Sequence, residues 1–398
     1  MTASVALAAF PPGVRLAQLP PLALYVHIPW CVKKCPYCDF NSHQAKENVP
    51  EAAYVEALVA DLEQSLPEVW GRRVASVFFG GGTPSLFSAA AIETLISAFR
   101  ARLSLAADCE ITLEANPGTF EAEKFRGYRD AGVTRLSIGI QSFNPGHLAA
   151  LGRIHDDREA RRAIEIAREH FDNVNLDLMY ALPGQTQDDA LADVDAALGA
   201  EVSHLSFYHL TIEPNTHFHR HPPALPDEDS SAAMQDAIGE ALERGGYVHY
   251  ETSAWARPGR ECRHNLNYWR FGDYLGIGAG AHSKLSFPDR VTRSARWKQP
   301  KQYLARVAEG RPVEESHEIG REDLVFEFMM NALRLTGGFP ARLLAERTGL
   351  QIALAEKPLR EAEARGLIVR DHERIAATAL GQRFLNDLLQ LFLPIKPS

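Results

Sequence analysis

Cys31, Cys35 and Cys38 fall within eight residues of a 398-residue chain. Thiolates are the usual ligands of iron–sulfur clusters, and a full cubane carries four irons. Three thiolates on one compact loop hold three irons and leave the fourth without a protein ligand. Such an open iron can bind a small molecule and pass it an electron. Spacings of three and then two residues let the loop wrap one corner of a cube. A zinc site from the three cysteines with His27 or His43 is the alternative reading. A structural disulfide framework fits poorly, because the cysteines crowd together.

The elements around this loop decide whether it sits where chemistry happens. Six short apolar runs have strand character: 22–28, 74–80, 109–115, 134–140, 173–180 and 203–210. Helical patterns lie between them. One starts at Asp156 with Glu159 as its capping partner, another at Thr186 with Asp189. Strand–helix alternation of this kind predicts a parallel sheet with helices outside, here an α/β partial (β/α)6 barrel. Residues 1–21 read as a flexible leader, 22–215 as the barrel, 216–320 as an accessory connecting region and 321–398 as a C-terminal domain. Within the connecting region, 217–229 reads as a loop, 231–245 as a helix and 247–252 as a short strand. A helix from about Glu322 is expected to end at Thr336-Gly337-Gly338. The tail reads as α-rich and winged-helix-like.

The cysteine loop follows the first strand, at the carboxyl edge where α/β proteins place their chemistry. The second strand ends in Gly80-Gly81-Gly82-Thr83-Pro84, where bare backbone lets a ligand approach closely. The third ends at Glu114, the fourth at Gln141, and the fifth carries Asp177; Arg153 lies in a linking loop. Each taken alone also reads as a turn or a solvated strand cap. Five successive ends with polar or glycine-rich character point to one ligand.

The complete Cys-x3-Cys-x2-Cys run, with Tyr37 before its last cysteine, resembles the radical S-adenosylmethionine superfamily. Tyr25, the cysteine loop, GGGTP, LEANP, GIQSFN, LGRIH and NLDLMYALPGQT together resemble the oxygen-independent coproporphyrinogen III oxidase-like proteins. That resemblance runs from about residue 22 to the C-terminus. It implies a 4Fe–4S cluster on Cys31, Cys35 and Cys38. It also implies S-adenosylmethionine against Tyr25, Gly81, Gly82, Thr83, Glu114, Gln141, Arg153 and Asp177, with Tyr37 packed beside it. The cofactors carry the chemistry in such proteins, and the chain positions and shields them.

The family has an oxidase branch and a branch of haem chaperones of the HemW type. The oxidases continue to a fourth cysteine two residues on, where this chain has Phe40, and they carry more sequence before the first strand. Both departures point to the chaperone branch, without coproporphyrinogen III oxidase activity. His264-Asn265-Leu266-Asn267-Tyr268-Trp269 resembles that branch's HNxxYW element. An imidazole can ligate haem iron and aromatic faces can stack on a porphyrin. A structural turn at His264 and Asn265, with Tyr268 and Trp269 in the core, is the other reading. Cys262 and Cys109 read as spectators, Cys109 opening the third strand as a small buried residue. His209 closes the sixth strand and reads as facing the site or capping the strand. His217, His219 and His221 form a His-x-His-x-His run that could bind metal or haem, and in a Pro-rich acidic loop they read as a solvated run.

Lys and Arg number 42 against 51 Asp and Glu, a net charge of −9. That balance gives no general attraction to nucleic acid or anionic lipid. Arg342, Arg347, Arg360 and Arg365 in the tail alternate with glutamates, as on a solvated helix face. No run approaches the roughly 20 apolar residues of a membrane span. The expectation is a cytoplasmic protein with haem, haem-acceptor proteins and an electron donor as partners, no nucleic acid, and at most weak membrane association.

Overall fold

The computed structural model describes residues 14–45, 49–118 and 122–394. Six parallel strands form its centre: β1 (Leu22–Ile28), β2 (Arg73–Gly81), β3 (Ser104–Ala115), β4 (Arg135–Gln141), β5 (Val174–Tyr180) and β6 (His204–His209). They lie side by side in chain order. Both faces of these strands are covered, as parallel strands require. Leu24, Val26, Val77, Phe79, Leu113, Ile138 and Leu176 belong to one apolar core shared with the outer helices. Each fully buried side chain of this size contributes roughly 1.5–3 kcal/mol by leaving water.

The two-residue period of a strand turns the alternate residues to the other face. There the chain carries Tyr25, Ser76, Phe78, Glu110, Thr112, Glu114, Ser137, Asn175, Asp177, His204 and Ser206. The register sets Tyr25 beside Phe78, Glu114 beside Ser137 and Gly139 beside Asp177. The inner face is thus polar and ready to hold a ligand, whereas the outer face is ordinary core.

The alternation read from the sequence holds, and so do both capping boxes, at Asp156/Glu159 and Thr186/Asp189. Several details differ. The sheet has twelve strands: Asp273–Ile277 pairs parallel with β1, and antiparallel strands extend both sides. β3 begins at Ser104, because its first residues pair with Arg73 and Val74, so half-buried Cys109 lies mid-strand. The segment read as a loop from 217 contains a helical turn, His217–Arg220, capped by the Thr216 hydroxyl.

A second core belongs to the C-terminal domain, where helices surround a three-stranded sheet of 339–340, 374–377 and 368–370. Its first helix stops at Ala332, earlier than read, and Gly338 takes a left-handed φ of 67°. Of the segment read as a leader, residues 1–13 lie outside the described residues. Val14 is buried in this second core, and the Leu16 N–H donates to Pro288 O at 3.0 Å. Among the described residues no helix is long and apolar enough to cross a membrane.

Candidate functional site

The cysteine loop is tied at its base. Trp30–Cys31 pairs with His43–Gln44, and the Ala45 N–H donates to Cys31 O at 2.9 Å. Inside it the Cys38 N–H donates to Cys35 O at 3.2 Å, placing two cysteines on one tight turn. All three thiols are half-buried and unpaired. Burial pushes the Cys31 thiol up, and the Thr83 hydroxyl beside it opposes that. Cys38 Sγ lies 3.5 Å from the Ser42 hydroxyl. Arg153 Nη1 donates to Cys35 Sγ at 3.5 Å.

A tetrahedral zinc would need a fourth donor beside the three thiols. His27 is engaged at both nitrogens, by Tyr25 Oη at 3.0 Å and by Asn41 O at 2.9 Å. His43 lies 3.3 Å from Asn41 Oδ1. A cubane asks only one thiolate per iron, which a spread loop satisfies.

Around the loop the strand ends form a connected set. Arg153 Nη2 donates to Asn116 Oδ1 at 2.5 Å and to Gly139 O at 2.9 Å. Asn116 Nδ2 donates to the Thr83 hydroxyl at 2.9 Å. Cys31, Thr83, Asn116, Arg153 and Cys35 therefore make a closed chain of contacts across four loops. Gly81 has a φ of 118°, and a Cβ there would come within 2.6 Å of the His27 ring. A Cβ on Gly82 would meet Trp30 O at 2.5 Å. Only glycine lets this loop lie against the cysteine loop.

Two carboxylates face each other over the inner sheet. Glu114 accepts from the Gly81 N–H at 3.2 Å. Burial, reinforced by nearby Asp177, pushes its carboxyl up to about 8. Asp177 is also raised by burial, although Ser137 donates to it at 2.8 Å and Asn175 at 2.9 Å. No arginine or lysine closes on either carboxylate within ion-pair distance among the described residues. Such a pair suits a ligand that brings hydroxyl donors or positive charge. Gln141 ends β4 with a φ of 69°, strain of the kind that gathers at ligand sites. Tyr37 packs near Phe218, with ring centroids 6.3 Å apart, on the far side of Arg153.

The nine residues expected to surround S-adenosylmethionine thus lie together at the carboxyl edge. Asn116, Ser137 and Asn175 belong to the same network and were not singled out from the sequence. Asn116 sits inside the LEANP run, and only its neighbour Glu114 drew attention there.

The HNxxYW segment runs beneath this set, on a helix from Arg263 to Trp269, with the His264 ring 6.3 Å from that of Tyr25. His264 is buried beneath the site: its ring stacks on Phe78 at 4.8 Å and its Nδ1 lies 3.2 Å from the Ser76 hydroxyl. Its Nε2 is buried with no hydrogen-bond partner. Burial pulls its pKa down to about 3, so the ring is neutral. Tyr268 stacks on Tyr274 at 4.2 Å, and the Arg334 guanidinium covers the Trp269 ring at 4.5 Å. Asn265 is half-buried on the same helix. Cys262 is buried, with Sγ 3.8 Å from Glu110 Oε1. His209 is exposed at the end of β6.

Residues 25–197 match the radical SAM superfamily, and residues 319–384 match the HemN C-terminal domain. The chain is 48% identical over 380 residues to the haem chaperone HemW of Escherichia coli K12, covering 95% of this chain and 100% of that protein. It is 33% identical over 377 residues to the haem chaperone HemW of Bacillus subtilis 168, covering 93% and 98%. A solved structure described as the coproporphyrinogen III oxidase HemN of Escherichia coli, a radical SAM enzyme, superposes with a TM-score of 0.80 at 25% identity, covering 94% and 90%. With its cysteine loop, glycine turn and paired carboxylates on one sheet edge, this chain belongs to the HemW family of the radical SAM superfamily.

Proposed function

We propose that this chain is a haem chaperone that binds a 4Fe–4S cluster, S-adenosylmethionine and haem, and passes haem to acceptor proteins. The observation that carries the reading is near-complete coverage by relatives named haem chaperones, in a chain whose cluster loop and carboxylate pair are both intact.

When bound, the cluster supplies an iron without a protein ligand, at which S-adenosylmethionine can chelate. Cys31, Cys35 and Cys38 hold the other irons. The Arg153 guanidinium against Cys35 offsets part of the thiolates' negative charge. Gly81 and Gly82 keep the backbone low, so the methionine end lies close to Thr83 and the cysteine loop. Glu114 and Asp177 accept from the ribose hydroxyls, and Tyr25, beside Glu114, closes that side. Gln141 and Tyr37 flank the adenosyl group. Reduction of the bound cluster would need an external electron donor.

Haem is cargo. The HNxxYW helix is its proposed contact, through His264, Asn265, Tyr268 and Trp269. The unpartnered, neutral Nε2 of His264 suits iron ligation, since a protonated ring cannot bind metal. Because that atom is buried, ligation requires the helix to part from Phe78. Three of the four tail arginines are occupied by the domain's own acids: Arg342 pairs with Glu346 at 3.1 Å, Arg360 with Glu356 at 2.6 Å, and Arg365 with Glu361. That pairing supports a docking or lid role for the domain over nucleic-acid binding.

The test is a haem titration of the purified protein followed by visible absorption, beside His264→Ala. Saturation near one haem per chain, weakened in the variant, supports the reading. No saturable binding overturns it and returns attention to tetrapyrrole decarboxylation. For that alternative, exposed Phe40 stands where the oxidases have a cysteine. Phe40→Cys is expected to form no protoporphyrinogen from coproporphyrinogen III under anaerobic assay.

A further inference from the structure

The histidines at 217, 219 and 221 are exposed, as a solvated run would be, but they sit on an ordered helical turn and not on a loop. Thr216 caps a single helical turn, its hydroxyl accepting from the His219 N–H at 3.1 Å. The turn closes with the His221 N–H donating to His217 O at 2.9 Å. Pro222 and Pro223 follow, and a residue before proline is driven out of helical geometry. His221 accordingly leaves the turn with φ −135° and ψ 75°. One turn of helix sets residues i and i+4 on one face. The His217 and His221 rings do lie together, with centroids 4.8 Å apart. Both are exposed, and neither makes a side-chain hydrogen bond or ion pair among the described residues.

The turn is also fixed to the cluster loop. The Phe218 N–H donates to Pro36 O, between Cys35 and Cys38, at 3.0 Å. The Phe218 side chain is buried with Leu151, Met179, Leu182 and Leu210, and Tyr37 packs on that group. The pair is therefore held at the barrel mouth without rotational freedom in its backbone. Two imidazoles at i and i+4 on a preformed turn are a bidentate donor for a borderline transition metal, with water completing the shell.

We propose that His217 and His221 form an imidazole-donating site for a transition-metal centre, seated beside the cluster loop. The metal comes either as a free divalent ion or as the iron of haem approaching the mouth. The site does not depend on haem ligation by His264.

The experiment uses untagged, cluster-loaded protein under anaerobic conditions, so that the cluster cysteines are already occupied. Nickel(II) is titrated by calorimetry, and ferric haem is titrated separately by absorption. The variants are His217→Ala, His221→Ala and, as the control on the other side of the turn, His219→Ala. At least a tenfold loss of nickel affinity in the first two, with His219→Ala within about twofold of the parent, is expected if both imidazoles bind one metal. A parallel tenfold loss of haem affinity identifies haem iron as a source; nickel loss alone identifies the free ion. If neither titration changes in His217→Ala or His221→Ala, the site is refuted. If haem binding persists in those variants but fails in His264→Ala, the chaperone reading stands and haem is excluded as this site's source. Circular dichroism of each variant checks that the exposed substitutions leave the fold intact.

Discussion

Two buried acidic centres sit in the same sheet-and-helix body and are built in opposite ways. Asp61, on the helix Glu51–Val69, accepts from Arg296 Nε at 3.2 Å and Nη2 at 3.1 Å, from Tyr303 Oη at 2.9 Å and from the Gly278 N–H at 3.2 Å. Arg296 in turn donates to Ser65 and Ser283. Every charge there has its counter-charge and its hydrogen bonds. Glu114 and Asp177 instead lie near each other with hydrogen bonds from neutral donors, and the buried Arg135 charge that draws both carboxyls down forms an ion pair with neither. The first centre fastens the helix to the connecting strands; the second is left electrostatically incomplete. Buried groups that are fully paired serve the fold, and those left raised and unpaired await a ligand.

The contrast can be broken most sharply at Asp61. Asp61→Ala strands the fully buried Arg296 and is expected to cost about 3–5 kcal/mol. Urea denaturation measures it, and a loss below about 1 kcal/mol would erase the distinction drawn here. Glu114→Gln should do the reverse. Burial already keeps the Glu114 carboxyl protonated at neutral pH, so the isosteric amide should leave the unliganded protein no less stable. Its affinity for S-adenosylmethionine should fall by roughly 0.5–1.5 kcal/mol, the worth of a hydrogen bond between neutral groups. Calorimetry at neutral pH reads the affinity, and an unchanged constant removes Glu114 from the site.

Proton linkage gives a third handle. The folded-state pKa of Glu114 is raised to about 8 from an ordinary value of 4.5. Between those values the folded state holds a proton that the unfolded state has released. Stability from this group is therefore fully present below the unfolded value and lost as pH rises through the window. The slope is at most about 1.4 kcal/mol per pH unit. Glu114→Gln should flatten that fall in denaturation midpoints measured across the window; an unaltered pH profile would place the titration elsewhere. The smallest effect is expected at the surface. Arg360→Ala breaks an exposed i,i+4 pair with Glu356 and should change stability by no more than about 0.5 kcal/mol. A larger loss would show that the tail's charge pairs do more than solvate their helices.

Much of this was legible in the chain itself, for local reasons. The cysteine spacing fixes what one loop can ligate. Apolar runs and capping pairs at Asp156 and Thr186 fix the strands and the helix starts, because capping is settled within four residues. The glycines at 81 and 82 announce a close approach before it is known what approaches. Tertiary structure decided everything that depends on which distant residues meet. Asp61 and Arg296 stand 235 positions apart, and nothing local pairs them. Asn116 carries no signal of its own in the LEANP run; Arg153 and Thr83 close on it from two other loops. His264 read from its motif as either a haem ligand or part of a structural turn, and it is the fold that buries it against Phe78. The run at 217–221 carried no helical periodicity, since one turn is too short to show it. Its order comes from Phe218 inserting beneath the cluster loop. Sequence determines the chemistry each segment can offer; the packing of segments far apart in the chain determines which offers are taken up and which stay open for a ligand.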